Sequence, residues 1–303
     1  MIDISEIDRL GKEKEIIVLD SQRLSMIQTC AAKYDMVFNK NYIPMTKALP
    51  LDRGSSIHIM LEYYYTLRKY KSRWGITSSN NPRRAHNVFD IVKICIRIYE
   101  HFAIKMDLPI EEVDNMIRVF TEYVEYYQNE PHETLAVEQV GSKIMYECGE
   151  WMLIYETKID WITSLAHIPV IPWDHKTYSR RGPTSPLADQ FIGYCWMLNV
   201  CNIGINKIGL QTTVPPEDKF LRPIMSYPQR VIDAWVENVV LWVSQLRVHY
   251  ATNVWPMNLT SCDKYDGCPF QAVCMTESDL KDWKARSLFE ISDTKWDVGA
   301  LIP

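Results

Sequence analysis

The tripeptide Asp174-His175-Lys176 sets a carboxylate and an ammonium two residues apart at the end of an apolar, strand-like run, VIPWDHKT. Side chains two apart on a strand share a face, so Asp174 and Lys176 point one way and His175 the other. On the preceding strand-like run, Glu156, Lys158 and Asp160 share a face by the same rule. If the two strands are neighbours, Asp160 and Asp174 meet with Lys176 beside them. Two carboxylates supply the hard oxygen ligands that Mg²⁺ or Mn²⁺ prefers. Such an ion polarises a phosphate and makes a bound water more acidic. The lysine adds a compact positive charge for a pentavalent transition state and can orient attacking water. An Asp-X-Lys tripeptide alone is common at strand ends on protein surfaces, so the elements around it decide its meaning.

A second chemical signal is in the cysteines. Cys262, Cys268 and Cys274 lie in SCDKYDGCPFQAVC, where Gly267 and Pro269 flank the middle thiol and favour a turn. Thiols clustered this way in a chain without a secretion signal suggest a metal rather than a disulfide framework. Cys30, far away in sequence, is the simplest fourth ligand. Four cysteines can hold a [4Fe–4S] cluster or a tetrahedral zinc, and unliganded thiols are the third alternative. Cys95, Cys148, Cys195 and Cys201 sit in apolar or strand-like surroundings and read as small buried hydrophobes.

The elements that must position these residues follow from periodicity. A helix is expected over 21–38, started by Ser21, with Leu24, Ile27, Ala31, Tyr34 and Phe38 on one face. A second helix begins near Gly54 and runs through Tyr63-Tyr64-Tyr65. Residues 68–84 are polar, basic and turn-rich, and read as a loop. Apolar stripes at helical spacing recur over 86–106 and 111–128. From residue 133 the pattern turns to three strands, ending in the Asp174 run. A helix over 186–199, a strand over 203–213 and a long helix over 228–251 follow. The predicted order is a helical part (1–130), a mixed α/β core (131–227) and a C-terminal helix with a cysteine-bearing tail (228–303), all within one domain.

In that order the motifs resemble the PD-(D/E)XK nuclease superfamily, and specifically its RecB-like branch, which includes the nuclease domain of AddB and the CRISPR-associated adaptation nucleases. The matching residues are LSMIQTCAAKY (24–34), Arg53-Gly54 with His58 and Glu62, Glu138, Ile159-Asp160, Asp174-His175-Lys176-Thr177, and Gln190 with Tyr194. The resemblance runs from about residue 20 to 275. It implies a restriction-endonuclease-like mixed sheet flanked by helices. It further implies His58, Asp160, Asp174 and the His175 carbonyl as metal ligands, with Lys176 as the catalytic lysine. Gln190 and Tyr194, at i and i+4, would contact the active site and DNA; Glu138 and Glu62 would be supporting acids. One early and three late cysteines resemble the branch's iron–sulfur clasp. Two departures stand out. Thr157 replaces a frequent glycine, and Pro169 and Pro172 interrupt the strand that carries Asp174, where proline cannot donate to a ladder.

A formal net charge of −5 does not by itself indicate a nucleic-acid partner, but the charge is uneven. Arg68, Lys69, Lys71, Arg73, Arg83 and Arg84 crowd one stretch, and Lys176, Arg180 and Arg181 another, and local patches bind phosphate whatever the total. No apolar run approaches the ~20 residues that span a bilayer, and the charged N-terminus lacks a signal peptide's apolar stretch. A cytoplasmic, metal-dependent DNA nuclease is therefore expected, an exonuclease or end-processing enzyme. It would serve recombination, repair, phage replication or CRISPR adaptation. No motor motif is present, so any helicase or recombination partner is a separate chain. The alternative is a catalytically idle DNA-binding or scaffold subunit of the same fold.

Overall fold

The computed structural model describes residues 14–45, 49–73, 88–179, 185, 187–263, 267–277 and 281–292. In chain order the elements begin with β1 (Glu15–Leu19), α1 (Ser21–Thr29), α2 (Ala31–Tyr34) and β2 (Tyr42–Pro44). Three long helices follow: α3 (Leu49–Arg73), α4 (Val88–Lys105) and α5 (Ile110–Tyr126). The strands β3 (Glu133–Glu147), β4 (Trp151–Leu165) and β5 (Ile168–Tyr178) come next, then α6 (Asp189–Leu198) and β6 (Asn202–Gly209). The chain ends with α7 (Pro216–Lys219), β7 (Phe220–Leu221), β8 (Ile224–Ser226), α8 (Gln229–Thr252), α9 (Gln271–Cys274), α10 (Lys281–Leu288) and β9 (Phe289–Ile291). This is the expected mixed sheet of parallel and antiparallel strands flanked by helices. Among the described residues no helix is long and apolar enough to cross a membrane.

The chain folds as two compact units. The first comprises Met1–Lys47, Gly141–Thr157 and Pro228–Pro303. Here β1 runs parallel to the start of β4, from Glu15 opposite Trp151 to Leu19 opposite Tyr155. Residues 151–155 are buried without alternation, as expected for a strand covered on both faces. The buried stripe of α8, from Ile232 through Trp235, Val239 and Val243 to Leu246, belongs to the same core.

The expected single helix over 21–38 is broken. Asp20, not Ser21, starts it: its Oδ1 accepts from the amides of Gln22 at 2.7 Å and Arg23 at 2.8 Å. A carboxylate is the stronger acceptor for these orphan donors. The break falls at Cys30, which is extended (φ −168°, ψ 117°). The tail satisfies the exposed backbone there. Asn258 Nδ2 donates to the Thr29 carbonyl at 2.8 Å, and Ala32 N donates to the Pro256 carbonyl at 3.1 Å. Beyond Tyr34 the backbone widens into a π-helical turn, Asp35–Asn39.

The second unit comprises Ala48–Val140 and Lys158–Tyr227. The end of β4 pairs antiparallel with β5, setting Trp161 opposite Trp173; β5 then runs parallel to β6, setting Trp173 opposite Gly204 and His175 opposite Asn206. β7 and β8 pair antiparallel with β6. Pro169 and Pro172 do not end the strand: β5 continues through both, with Pro172 opposite Ile162. The predicted loop over 68–84 is corrected at its start, because α3 stays helical through Arg73. The straight-chain basic residues Arg68, Lys69, Lys71 and Arg73 are good helix formers, and polarity misread them as loop. Residues 74–84 lie outside the described residues. Of the cysteines expected to be buried, Cys95 and Cys195 are, whereas Cys201 is exposed and Cys148 half-buried. Both sit at the ends of elements rather than within them.

Gly204 is required by its neighbour. A Cβ built there collides with the Trp173 indole, a ring with no exposed surface whose Nε1 donates to Thr163 Oγ1 at 2.8 Å. Gly204→Ala is expected to destabilise the protein by about 1–3 kcal/mol, the usual range for overpacking. Thermal unfolding checks this, and an unchanged midpoint would show that the indole can move aside.

Candidate metal-binding active site

Every residue of the expected site that the structure describes lies in the second unit. One step along from the Trp161–Trp173 pair, Asp160 on β4 and Asp174 on β5 come side by side. The side chain of Asp160 also binds the neighbouring strand, since its Oδ2 accepts from the His175 amide at 2.7 Å. His58 reaches the same point from α3. Its Nε2 donates to the His175 carbonyl at 2.8 Å, which leaves Nδ1 facing Asp160 Oδ2 at 3.7 Å. The His175 peptide is thus the hub: its N–H holds one predicted ligand, its carbonyl the other. Its imidazole is buried, 2% exposed, with the His58 ring edge-on to it at 5.6 Å.

Glu138 completes the cluster. His58, Glu138 and Asp160 present ligand atoms within 4.8 Å of one another. Glu138 lies within β3 at φ 49°, a left-handed conformation that a non-glycine residue holds at a cost of about 1–2 kcal/mol. Such a break in a strand's alternation re-aims a side chain. Lys158 Nζ holds the carboxylate at 2.6 Å. Glu62, one turn beyond His58 on α3, has its pKa raised by burial, against the opposing pull of Lys158 and His58.

Asp174 carries the strongest sign of a cation site. The residue is 1% exposed. Its Oδ2 meets the Lys176 ammonium at 2.8 Å, whereas Oδ1 has no hydrogen-bond partner. A buried carboxylate oxygen without a donor costs free energy unless a cation compensates it. Lys176 is itself held from the helix side. Its Nζ donates to Gln190 Oε1 at 3.0 Å, Gln190 Nε2 donates to Tyr194 Oη at 2.8 Å, and that hydroxyl donates to the Lys158 carbonyl at 2.8 Å. The i, i+4 spacing on α6 lets the glutamine and tyrosine form this relay.

The electrostatics are those of crowded anions. Burial and the neighbouring Asp174 raise the Asp160 pKa to about 8. Burial and the neighbouring Asp160 raise that of Glu138 to about 7. Burial opposes the charge on Lys176, but Asp174 and Asp160 outweigh it, and the ammonium pKa is raised. Burial lowers the pKa of His58, and lowers that of His175 well below the ordinary value. The chain thus assembles two neutral imidazoles and several carboxyl groups that resist ionising together. That donor set, hard oxygens with one imidazole nitrogen and an orphaned buried oxygen, fits a divalent cation such as Mg²⁺ or Mn²⁺.

The four cysteines gather in the first unit. Cys30, Cys262, Cys268 and Cys274 line one cavity of about 520 Å³. The break at Cys30 exposes its sulfur to the tail, where Asn258 N donates to Sγ at 3.4 Å. The turn between Cys262 and Cys268 requires its glycine, because Gly267 sits at φ 100°. Burial, with Cys268 and Cys30 close by, raises the Cys262 pKa, and the same surroundings raise that of Cys274. Four thiols gathered on one cavity are a donor set for a cationic centre.

Arg83, Arg84, Arg180 and Arg181, expected to contact DNA, lie outside the described residues. Sequence reasoning missed two polar residues behind the site, Asn206 and Arg222. A polar side chain in the apolar run INKIG was the available signal for the first; nothing local marked the second.

No family model and no curated protein matches this chain. Several solved structures are similar to it, among them the following two. The crystal structure of SSO0001 has a TM-score of 0.29 at 12% identity, covering 60% of this chain and 86% of that one. A "Putative exonuclease" from Eubacterium rectale has a TM-score of 0.46 at 11% identity, covering 87% of this chain and 91% of that one. The geometry of the site carries the functional reading.

Proposed function

We propose that this chain is a divalent-metal-dependent DNA nuclease of the PD-(D/E)XK type, RecB-like, that hydrolyses phosphodiester bonds as an exonuclease or end-processing enzyme. The observation that carries the reading is the buried Asp174 carboxylate, one oxygen on the Lys176 ammonium and the other without a partner. His58, Glu138 and Asp160 converge in the same unit.

His58, Asp160, Asp174 and the His175 carbonyl would hold Mg²⁺ or Mn²⁺, with Glu138 supporting them. When bound, the cation supplies Lewis acidity toward a phosphate oxygen and a more acidic water. The residues do the rest. Because its pKa is raised, Lys176 stays protonated, so it stabilises developing phosphoryl charge and orients water rather than removing a proton. Gln190 and Tyr194 fix its direction, which matters because a catalytic charge misplaced by about 1 Å can cost about 10²-fold. Arg180, Arg181, Arg83 and Arg84 would meet DNA phosphates. The setting would be recombination, repair, phage replication or CRISPR adaptation in the cytoplasm, beside a separate helicase or recombination protein.

The test is incubation with end-labelled single- and double-stranded DNA in Mg²⁺, Mn²⁺ or EDTA. Cleavage with either ion and none in EDTA supports the nuclease. DNA binding without cleavage under every condition would instead support an idle binding subunit.

For the thiol cavity we infer a [4Fe–4S] clasp joining the tail to the segment around Cys30. A tetrahedral zinc is the alternative occupant of the same four thiols. The four thiols line one cavity, and one early with three late cysteines is the arrangement that the resemblance associates with a cluster. Anaerobically purified protein is expected to contain iron and acid-labile sulfide, and Cys268→Ser to lose both along with thermal stability. Folded wild-type protein free of iron, sulfide and zinc would remove the clasp.

A further inference from the structure

Behind the proposed metal site lies a buried polar network in which one residue sets the hydrogen-bond polarity from Arg222 to His175. Arg222 is a guanidinium, a donor only. It donates from NH1 to Glu130 at 2.5 Å and from NH2 to the hydroxyls of Tyr65 at 2.7 Å and Tyr123 at 2.6 Å. Its Nε faces Asn206 Oδ1 at 3.3 Å. Because Arg222 can only donate, the Asn206 amide oxygen must face it. The amide nitrogen then points the other way and donates twice, to Tyr123 Oη at 2.7 Å and to His175 Nδ1 at 2.9 Å. Tyr123 Oη accepts from both Arg222 and Asn206, so its proton goes to Tyr65 Oη at 2.7 Å. His175 Nδ1 accepts, so the imidazole carries its proton on Nε2.

The rings hold this arrangement in place. The guanidinium lies 3.5 Å from the Tyr127 ring centroid, and Tyr65 stacks on Trp161 at 4.1 Å. Asn206 has no exposed surface and sits on β6 directly opposite His175 on β5. Hydrogen bonds in such a buried network are stronger than in water, and through Asn206 this one converges on a single imidazole. That imidazole belongs to the residue whose N–H holds Asp160 and whose carbonyl holds His58.

We propose that Asn206, oriented by Arg222, is a positioning residue for the metal site: it locks the His175 side chain in one tautomer and one orientation, and so fixes the peptide that aligns Asp160 and His58. The proposal rests on the nuclease reading above for its activity arm but not for its structural and metal-binding arms. Asn206 and Arg222 are not among the proposed ligands; they act through His175. Outer partners that orient metal-binding groups typically cost about 10–100-fold in affinity or activity when lost.

The test uses Asn206→Leu, similar in volume but unable to hydrogen-bond, and Asn206→Asp, whose carboxylate accepts where the amide nitrogen donated. Three quantities are read in the full-length protein. Long-range ¹H–¹⁵N spectra report the His175 tautomer in metal-free protein. Calorimetric titration with Mn²⁺ reports affinity, and cleavage of end-labelled DNA reports kcat and KM. In wild type the spectra are expected to show the proton on Nε2. In Asn206→Asp it moves to Nδ1, because the ring must now donate. Asn206→Leu is expected to bind Mn²⁺ about 10–100-fold more weakly and to lose kcat with KM little changed. Asn206→Asp, which keeps a hydrogen bond to the ring, recovers most of that loss. If Asn206→Leu is folded and its Mn²⁺ affinity equals wild type, the positioning role is wrong. A wild-type proton on Nδ1 overturns it as well, and this arm holds even if Asn206→Leu proves unstable. Wild type that binds Mn²⁺ but cuts no DNA contradicts the nuclease reading and leaves the positioning claim to stand or fall on affinity and tautomer.

Discussion

Lys176→Met is expected to reduce DNA cleavage by about 10²–10³-fold, the usual effect of removing one preorganised charge from a transition state, while Mn²⁺ binding persists. The ammonium touches Asp174 Oδ2 and Gln190 Oε1, so its loss frees a carboxylate oxygen and removes no ligand. Metal affinity should therefore hold or rise. Asp174→Ala is expected to lose cleavage for the opposite reason. It removes a buried ligand and leaves Lys176 facing Asp160 alone, so Mn²⁺ affinity falls together with activity. The pair separates binding from chemistry: cleavage falls in both, affinity in one. Measured by calorimetry and by cleavage of labelled DNA, equal loss of Mn²⁺ binding in the two variants would show that Lys176 acts through the ligands instead.

The second expectation concerns pH, and its sign differs from that of an ordinary salt-bridged protein. Asp160 has a folded pKa of about 8 and Glu138 of about 7, against ordinary values of 3.8 and 4.5. A carboxyl group whose pKa is raised on folding contributes stability that is full below its unfolded pKa. That contribution is lost as pH rises through the folded value. His58 and His175 act in the other direction. Their folded pKa values are lowered, so they favour the fold increasingly as pH rises, up to the unfolded value of 6.5. Between pH 6.5 and about 8 the histidine contribution is complete and the carboxyl groups act alone. Metal-free protein should therefore lose thermal stability across that window. Mg²⁺ or Mn²⁺ should restore it, because a cation replaces the displaced protons. For the same reason apparent Mn²⁺ affinity should climb with pH up to about 8 and then level off. A metal-free unfolding midpoint that stays flat or rises from pH 6.5 to 8 would mean these carboxyl groups are not crowded as the geometry implies.

Much of this arrangement was legible before any coordinates. The period-2 rule put Asp174 and Lys176 on one face and sent the His175 ring to the other, and both hold. The i, i+4 spacing of Gln190 and Tyr194 became the relay that holds Lys176. The one early and three late cysteines did converge on one cavity. What failed were matters settled by partners distant in sequence. A continuous apolar stripe over 21–38 could not reveal that tail groups near Asn258 would replace helix hydrogen bonds at Cys30. Basic residues over 68–73 carry the same polarity in a loop as in a helix. The left-handed turn at Glu138 leaves no trace in a residue type that seldom adopts it. Arg222 is invisible for a related reason. It comes from a short segment between β7 and β8, and only the folded sheet places it behind His175.

The most direct test of the central claim is one gel. Wild-type protein and Asp174→Ala, both shown to be folded, are incubated with end-labelled DNA in EDTA and then with Mg²⁺ or Mn²⁺ restored. Cleavage by wild type only when the cation is present, with none from Asp174→Ala under either condition, is the predicted result. Full cleavage by Asp174→Ala with Mg²⁺, or wild-type cleavage that persists in EDTA, would contradict it.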